Sequence, residues 1–275
     1  MSTIEALNRF VSGGMIPWSK GYSTYKQKLI EDTLNDPAML ARFRDGSALP
    51  DKFGVRIDER CVEYPWVFAR LDRTAKLVLD AGSTFSNEFL LKHPVLDGRR
   101  VIIYTLETDW ITLNSNVSYI FGDFRKMLLR DACVDAISCI STLEHVGLGS
   151  YDYKTYNARN LPPNQDLKGY KIALAEFARI LKPGGQFLVT VPYGAFENHG
   201  WLQQFNAAEL SELKAAFPGS SVSETYYRYR PNGWQAATAA DCASERYYNI
   251  HASKCFEQDF AAAARAVACL EFRKS

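Results

Sequence analysis

Acidic and hydroxyl side chains follow several short apolar runs of this sequence, where they could bind one ligand together. The stretch 76–91, KLVLDAGSTFSNEFLL, opens with an apolar run at 77–79, breaks at a turn and resumes at Phe89 in a pattern that favours a helix. A buried strand, a glycine turn and a helix N-terminus are how a doubly wound sheet approaches a nucleotide-like ligand. The polar residues that follow this and three later runs are Asp80, Gly82, Ser83, Glu107, Gly122, Asp123, Ser141 and Thr142.

Glu107 and Asp123 have the most specific chemistry in this series. Glu107 ends the strand after the glycine turn, where a carboxylate can accept hydrogen bonds from two ribose hydroxyls. Asp123 ends the following strand and can accept a hydrogen bond from an adenine amino group. Either acid alone is more often a solvated loop carboxylate. Their joint spacing favours one nucleotide-binding edge, because the carboxyl ends of parallel strands meet at the same edge of a sheet.

Two histidines near these strand ends could serve as a general base. His145 lies just beyond the fourth strand and is the best placed, with Glu144 beside it to orient the ring. The alternative for His145 is a structural hydrogen bond to a backbone group at the strand–helix junction. His199, in the loop 193–204 after the fifth strand, is the second candidate for a base.

Four aromatic residues could line a substrate cleft. Tyr193 and Trp201 belong to the loop after the fifth strand, and Trp18 and Tyr22 belong to a turn near the N-terminus. The alternative for each of them is packing alone.

The periodicity of the apolar residues predicts a chain that alternates strands and helices. This pattern predicts an α/β fold with a doubly wound, mostly parallel seven-stranded sheet, helices on both faces and a helical N-terminal cap. Pro65 is expected near the start of its helix, 182–185 to end a helix, and 234–256 to be irregular. The predicted strands are 77–80, 101–106, 117–121, 134–140, 187–191, 222–229 and 266–272, and the predicted helices are 4–11, 25–34, 38–43, 64–71, 87–92, 167–181 and 207–217.

Composition excludes several classes of protein. A net charge of +1 provides no basic field for nucleic acid or for an anionic membrane surface. No apolar run is long enough to span a membrane, and the N-terminus lacks a signal-peptide pattern. The six cysteines are scattered without a CxxC pair, which argues against a zinc site or a disulfide framework and indicates a cytoplasmic protein. We predict no nucleic-acid partner and no membrane insertion, and the sequence does not define an oligomeric state.

Two sequence blocks are the most specific features of the chain. VDAISCISTLEHV at 134–146 and LKPGG at 181–185, together with VLDAGS at 78–83, Glu107 and GDFR at 122–125, resemble the Rossmann-like, class I S-adenosylmethionine-dependent methyltransferases. The resemblance covers about residues 61–275. The front section, with PWSKGY at 17–22 and EYPWVFARL at 63–71, is similar to methyltransferase-like proteins of bacterial surface-polysaccharide gene clusters.

The resemblance implies a fold, a cofactor and a set of contacts. The C-terminal AVACLEF would be an antiparallel strand, and residues 1–60 would form a cap on a methyltransferase domain at 61–275. S-adenosyl-L-methionine would be the cofactor and a small polar or glycan hydroxyl the acceptor. A divalent cation held by Glu144 and His145 occurs in some relatives, and we do not predict a metal site here. The implied cofactor contacts are Asp80, Gly82 and Ser83 near the methionine part, Glu107 at the ribose, Asp123 and Phe124 at the adenine, and Ser141 and Thr142 beneath the sulfonium.

Two other functions stay open at this stage. The turn has one glycine where the family often has more, with Ser83 and Phe85 at such positions, and this favours a non-catalytic methyltransferase-like binding or assembly protein. A nicotinamide-dependent oxidoreductase would need a GxGxxG turn, which the residues 80–85 do not supply.

Overall fold

A computed structural model describes residues 2–107, 111–152, 157–159 and 165–275 of the chain. Over these residues the chain forms two units, each with its own core. The first unit comprises Met1–Arg70, Pro192–Ala195 and Thr225–Ala268, and the second unit comprises Leu71–Val191, Phe196–Glu224 and Cys269–Ser275. The chain therefore passes between the two units several times. The predicted division of the chain at residue 60 stays a prediction.

The described elements alternate as the sequence predicts. The helices are α1 (Thr3–Ser12), α2 (Tyr22–Leu34), α3 (Pro37–Asp45), α4 (Arg60–Arg70), α5 (Glu88–Leu91), α6 (Gly169–Ile180), α7 (Ala207–Ala215), α8 (Ala239–Cys242) and α9 (Ile250–Ser253). The strands are β1 (Leu77–Ala81), β2 (Arg100–Thr105), β3 (Val117–Phe121), β4 (Val134–Ile140), β5 (Ser150–Asp152), β6 (Asn157–Arg159), β7 (Leu181–Pro192), β8 (Glu197–Asn198), β9 (Gln203–Gln204), β10 (Ser221–Arg230), β11 (Gly233–Ala237) and β12 (Ala266–Arg273). Short 3-10 turns cover Pro94–Leu96, Phe124–Lys126 and Leu143–His145.

The second unit is built on parallel strands in the order β3-β2-β1-β4-β7, followed by the end of β12. Asp80 of β1 is in register with Ile103 of β2 and with Ser138 of β4. The strand order reverses between β1 and β4, because β2 and β3 lie on one side of β1 while β4 and β7 lie on the other. Ligands bind such sheets in the crevice outside the carboxyl ends of the strands at this reversal.

The final strand is antiparallel to its neighbour in the sheet. The backbone N–H of Gly184 donates to the carbonyl of Lys274, and the N–H of Lys274 donates to Gly185. In the first unit β10 and β11 form an antiparallel hairpin, with Tyr226 opposite Ala237. The complete hydrogen-bonded order is β11-β10-β12-β7-β4-β1-β2-β3. The mostly parallel α/β fold with an antiparallel last strand is confirmed, and β11 adds an eighth strand to the expected seven.

Three local predictions are wrong. Helix α4 begins at Arg60, so Pro65 lies inside the helix rather than in its first turn. Helix α6 ends at Ile180, and the segment 181–185 opens β7 instead of forming a separate stop, because Leu181 already pairs with Val134. The segment 234–256 contains most of β11 and the short helices α8 and α9, so it is not irregular throughout.

Apolar burial explains why the central strands hold the second unit together. Strands β1, β4 and β7 carry side chains with no exposed surface, and helix α6 contributes Leu174 and Phe177, which are also fully buried. Phe177 lies with its ring centroid 5.6 Å from that of Phe187 in β7. Burying side chains of this size stabilises a fold by about 1.5–3 kcal/mol each. The buried strands therefore hold in place the loops that follow their carboxyl ends.

Candidate functional site

The strand ends of the second unit enclose a pocket of about 200 Å³. It lies at the carboxyl ends of β1, β2, β3 and β4, where the strand order reverses. Among the predicted site residues, the structure brings together Gly82, Ser83, Glu107, Asp123, Phe124, Thr142 and His145 in its lining. Thr105, Leu106, Arg125, Val146, Gly147 and Leu148 complete the lining.

The turn after β1 is shaped by its contact with the loop after β4. Gly82 has a φ of +121°, a conformation that side chains rarely adopt, and a Cβ built on it would lie 2.8 Å from Cβ of Thr142. Thr142 is itself fixed, because its hydroxyl donates to the carbonyl of Ile140 over 2.8 Å. Ser83 and Ser141 have positive φ angles of 60° and 38° without being glycine. A positive φ strains a residue that is not glycine, and of these two serines only Ser83 lines the pocket.

Asp80 does not line the pocket, but its side chain holds the turn after β1 by hydrogen bonds. Its carboxylate accepts a hydrogen bond from the hydroxyl of Thr84 and another from the N–H of Phe85, both over 2.7 Å. Burial raises the pKa of Asp80 to about 7, although these two hydrogen bonds act in the opposite direction. Phe85 is fully buried in the core. Of Ser83 and Phe85, the two residues at positions where the sequence resemblance favours glycine, only Ser83 therefore lines the pocket.

Two carboxylates stand on the β2–β3 side of the pocket. The hydroxyl of Thr105 donates to the backbone carbonyl of Glu107 over 2.7 Å. This hydrogen bond fixes the backbone where β2 ends. Asp123 caps the 3-10 turn that follows β3, accepting from the N–H of Arg125 over 2.8 Å. The Arg125 guanidinium also donates to the Asp123 carboxylate, and these hydrogen bonds hold the pKa of Asp123 below its usual range.

Apolar walls accompany these carboxylates. The Phe124 ring packs with its centroid 5.8 Å from Tyr104 and 5.5 Å from Phe177, and this fixes the start of the turn. Leu106 is 69% exposed at the pocket rim. Two carboxylate acceptors beside apolar surface suit a ligand with vicinal hydroxyls and a flat ring that carries an amino group, so the donor set fits an adenosine-type cofactor.

His145 is held on both sides of its ring. Its Nδ1 lies 2.7 Å from the backbone carbonyl of Trp201, and the two rings stack with centroids 5.3 Å apart at 25°. Its Nε2 lies 3.9 Å from Oε1 of Glu144, whose side chain is buried. The His145 side chain is about one-third exposed toward the pocket. His145 combines the backbone contact expected of a structural residue with the access required of a base.

The other predicted catalytic histidine is placed differently. His199 lies in the turn between β8 and β9, with its Nε2 3.5 Å from the carboxylate of Glu197. It does not line the pocket of the second unit. Its catalytic role stays a prediction.

The predicted substrate residues fall in both units. Trp201, in the second unit, is buried against His145. Tyr193 in the first unit is buried against Tyr226, with ring centroids 5.2 Å apart. Trp18 donates from Nε1 to the carbonyl of Ala262 over 2.9 Å, and its ring is 41% exposed. Their roles in substrate binding stay predictions.

Tyr22 in the first unit is engaged by an acidic side chain. Its hydroxyl donates to Asp58 over 2.8 Å, and Lys26 pairs with the same carboxylate over 2.6 Å. The Nζ of Lys26 also lies 5.1 Å from the centroid of the Trp18 ring. Tyr22 is almost fully buried, whereas Lys26 and Trp18 are both partly exposed.

Sequence reasoning missed part of the pocket lining. Thr105 lies two residues before the expected Glu107, and 146–148 directly follow Leu143–His145, so proximity to the strand ends could have indicated both. Arg125 belongs to the GDFR block, and its pairing with Asp123 could have been proposed from their spacing. Among the described residues, no group of three or more His, Cys, Asp or Glu side chains could hold a metal ion. Within the same residues, no helix has the length and apolar character needed to cross a membrane.

Comparison with known proteins identifies the central part of the second unit. Residues 105–189 match the family model described as a methyltransferase domain, which covers less than half of the chain. The matched segment contains most of the pocket lining, including Glu107, Asp123, Thr142 and His145. Residues 105–189 therefore resemble a methyltransferase domain. No curated protein shows significant sequence similarity to the chain.

Several solved structures resemble the chain at low identity. The 1,6-didemethyltoxoflavin-N1-methyltransferase of Burkholderia thailandensis, with bound 1,6-didemethyltoxoflavin and S-adenosylhomocysteine, is 18% identical, with 76% of this chain and 75% of that chain covered and a TM-score of 0.44. An S-adenosylmethionine-dependent methyltransferase from Mesorhizobium loti is 12% identical, with 77% and 97% covered and a TM-score of 0.45. The [4+2]-cyclase SpnF is 17% identical, with 74% and 76% covered and a TM-score of 0.44.

Proposed function

We propose that the chain is an S-adenosylmethionine-dependent methyltransferase that acts on a small polar acceptor, with a sugar hydroxyl of a surface glycan or its precursor as the leading candidate. One observation carries the proposal. The pocket at the reversal of strand order gathers Gly82, Glu107, Asp123 and His145, and it lies largely within the segment that matches a methyltransferase domain. The acceptor and the hydroxyl chemistry rest on the sequence resemblance.

The pocket residues divide between the two ends of the cofactor. Glu107 would accept hydrogen bonds from the ribose hydroxyls, and Asp123 would accept one from the adenine amino group beside the Phe124 wall. The turn at Gly82 and Ser83, supported by Asp80, would face the methionine end, with Ser141 and Thr142 nearby. When bound, S-adenosylmethionine supplies a methyl group on a positively charged sulfur.

The protein's contribution to methyl transfer is alignment and proton removal. Methyl transfer is an in-line displacement, in which the attacking oxygen must lie opposite the leaving sulfur. Holding the two reactants in this alignment can therefore supply much of the rate enhancement. We propose that Nε2 of His145 takes the proton of the acceptor hydroxyl while an oxygen lone pair forms the new bond to the methyl carbon. The electrons of the carbon–sulfur bond stay with sulfur. The buried Glu144 carboxylate would stabilise the resulting imidazolium.

The charges of the pocket support a neutral acceptor. Of the described residues that line it, Arg125 is the only lysine or arginine, and Asp123 already neutralises it. A phosphate or carboxylate close to Glu107 would be repelled without a compensating cation. A hydroxyl acceptor carries no such penalty, so an alcohol is favoured over an anionic acceptor.

Calorimetry with S-adenosylmethionine tests the cofactor assignment. Asp123→Ala removes an acceptor for a charge-assisted hydrogen bond, so we expect affinity to fall about 10- to 100-fold. The matched control is Asp97→Ala, which removes an exposed carboxylate of the same unit outside the pocket lining. Equal affinities of the Asp123→Ala and control proteins would contradict the placement of the adenine.

Mass spectrometry with isotopically labelled methyl donor tests the acceptor. The protein is incubated with a panel of monosaccharides, nucleotide-linked sugars and matched amino sugars, and we expect label in the hydroxyl compounds. Label found only on amino groups would keep the methyltransferase and overturn the hydroxyl acceptor.

A second function is favoured by Ser83. A non-glycine residue at a φ of +60° in the cofactor turn is strained, and its side chain lies at the pocket. A non-catalytic methyltransferase-like binding protein would tolerate this. If calorimetry detects no binding of S-adenosylmethionine at millimolar concentration, the non-catalytic binding protein is favoured over the methyltransferase.

A further inference from the structure

We propose that Trp201, at the tip of the β8–β9 hairpin, is a positioning residue that sets the tautomer and the orientation of His145. The inference rests on the proposed function, in which His145 is the base. A backbone carbonyl can only accept a hydrogen bond, so the 2.7 Å contact between Nδ1 and the Trp201 carbonyl requires a proton on Nδ1. In the neutral ring the lone pair then resides on Nε2.

The Trp201 ring fixes the plane of the imidazole. The indole lies nearly parallel to it, 25° apart with centroids separated by 5.3 Å, and Trp201 is only 6% exposed. With Nδ1 anchored and the plane fixed, Nε2 is directed to the side of the ring on which Glu144 Oε1 lies, at 3.9 Å. A proton gained on Nε2 therefore creates a positive charge beside a buried carboxylate, where the attraction is stronger than in water.

The hairpin is built to hold the Trp201 carbonyl in place. Strands β8 and β9 pair with Asn198 opposite Gln203, and the N–H of His199 donates to the carbonyl of Leu202 over 2.9 Å. Gly200 takes the left-handed conformation at the turn with a φ of +84°, which glycine adopts without strain. Its N–H donates to the side chain of Asn198 over 2.8 Å. The tip is thus closed by its own hydrogen bonds rather than by the ring of His145.

NMR of protein labelled with ¹⁵N-histidine tests the tautomer directly. Two-bond correlations distinguish the protonated ring nitrogen from the nitrogen with the lone pair, and the spectrum of His145→Gln identifies the His145 signals. We expect the neutral ring to carry its proton on Nδ1. Trp201→Ala keeps the backbone carbonyl at position 201, so the proton should stay on Nδ1 while the imidazole loses its fixed plane and its signals broaden. Trp201→Phe, which keeps a stacking ring, should restore sharp signals. A ring protonated on Nε2 in the wild type, or signals of equal width in Trp201→Ala and the wild type, would overturn the inference.

Kinetics with the acceptor found in the labelling panel tests the consequence for turnover. A base displaced by about 1 Å loses on the order of 100-fold in rate, so Trp201→Ala should lower kcat by about that factor without changing cofactor affinity. Trp201→Phe should recover most of the loss. The matched control is Phe196→Ala, an exposed aromatic residue just before the hairpin, which should behave as the wild type.

The two proposals fail in distinguishable ways. Absence of cofactor binding overturns the proposed function and, with it, the base role of His145. Cofactor binding and methyl transfer by a protein whose His145 is protonated on Nε2 would keep the methyltransferase, and would overturn both the positioning by Trp201 and the assignment of Nε2 as the base.

Discussion

Asp80 is a fully buried carboxyl group next to the turn that lines the candidate site. The folded protein keeps a proton on this buried carboxyl up to a pKa of about 7, whereas the unfolded chain releases it near the ordinary aspartate value of about 3.9. The native state thus binds more protons than the unfolded state between these two values. Its contribution to stability is complete below about pH 4 and is lost as the pH rises to about 7.

This linkage predicts the effect of Asp80→Asn. The variant cannot titrate at position 80, so the decrease in its free energy of unfolding between pH 4 and pH 7 should be smaller than in the wild type by up to a few kcal/mol. Glu59, whose pKa burial raises to about 8, continues to titrate in both proteins, and the difference between them therefore isolates Asp80. Urea unfolding at a series of pH values measures it, with Asp97→Asn as the exposed control. Parallel curves for the wild type and Asp80→Asn would contradict an elevated pKa at Asp80.

At the residue scale, the sequence predicted which residues line the site better than it predicted the contacts between them. Glu107, Asp123, Thr142 and His145 were identifiable because each ends or follows an apolar run, and parallel strands present such ends at one edge. The contact of His145 with Trp201 joins residues 56 positions apart. Its formation depends on the β8–β9 hairpin, whose two-residue strands leave almost no periodic signal.

Helix α6 fixes the loop that carries the candidate adenine wall. Arg179 donates to Glu176, to Asp131 and to the backbone carbonyls of Leu129 and Met127, over distances of 2.7–3.2 Å. Glu176 in turn accepts from the N–H of Met127 over 2.8 Å. This network secures the chain immediately after the turn that contains Phe124.

Arg179→Lys should loosen this loop. A lysine has one ammonium group and cannot reproduce the guanidinium fork that spans four acceptors, so we expect a loss of about 2 kcal/mol in unfolding free energy. Cofactor affinity should fall as well, because the adenine wall is less ordered. Urea unfolding and calorimetry measure the two effects. Arg130→Lys, an exposed exchange in the adjacent segment, is the control, and equal behaviour of the two variants would show that the network is dispensable.

The prediction of elements succeeded where local and tertiary signals agree. Strands β3 and β4 have the predicted bounds, since both are short β-branched or apolar runs with polar ends. The segment 181–185 was misread because proline and two glycines locally favour a stop, whereas pairing of Leu181 with Val134 draws the segment into a strand. Strand β11 was missed although Pro231-Asn232-Gly233 is a usable hairpin signal. The segment becomes a strand because it pairs with β10. The periodicity of its own sequence cannot show that pairing.

At the scale of the whole molecule, the first unit joins distant parts of the chain. Trp234 donates from Nε1 to the carbonyl of Ile57 over 2.9 Å, and its backbone N–H donates to Phe53 over 2.8 Å. The Tyr227 ring packs 5.6 Å from that of Phe43. The segment 225–268 therefore relies on residues before position 61 for both packing and hydrogen bonds.

A chain that starts at residue 61 should not fold cooperatively in this region. Tyr227 and Trp234, both almost fully buried in the whole protein, would lose their partners and expose large apolar surfaces. We expect a lower denaturant slope in urea unfolding than the whole chain gives, since less surface is buried. A single sharp transition with a slope reduced only in proportion to length would show that residues 225–268 keep their structure without the first sixty.

Strand β12 has a consequence for biosynthesis. Its first residues, 266–268, belong to the first unit and the rest belong to the second. Proteins usually fold domain by domain as the chain leaves the ribosome, but here neither unit has all its parts until β12 has emerged. The nascent chain must keep its apolar strands from associating wrongly until β12 has emerged. Expression of this protein should therefore depend on chaperone capacity and elongation rate more than its ordinary size and composition suggest.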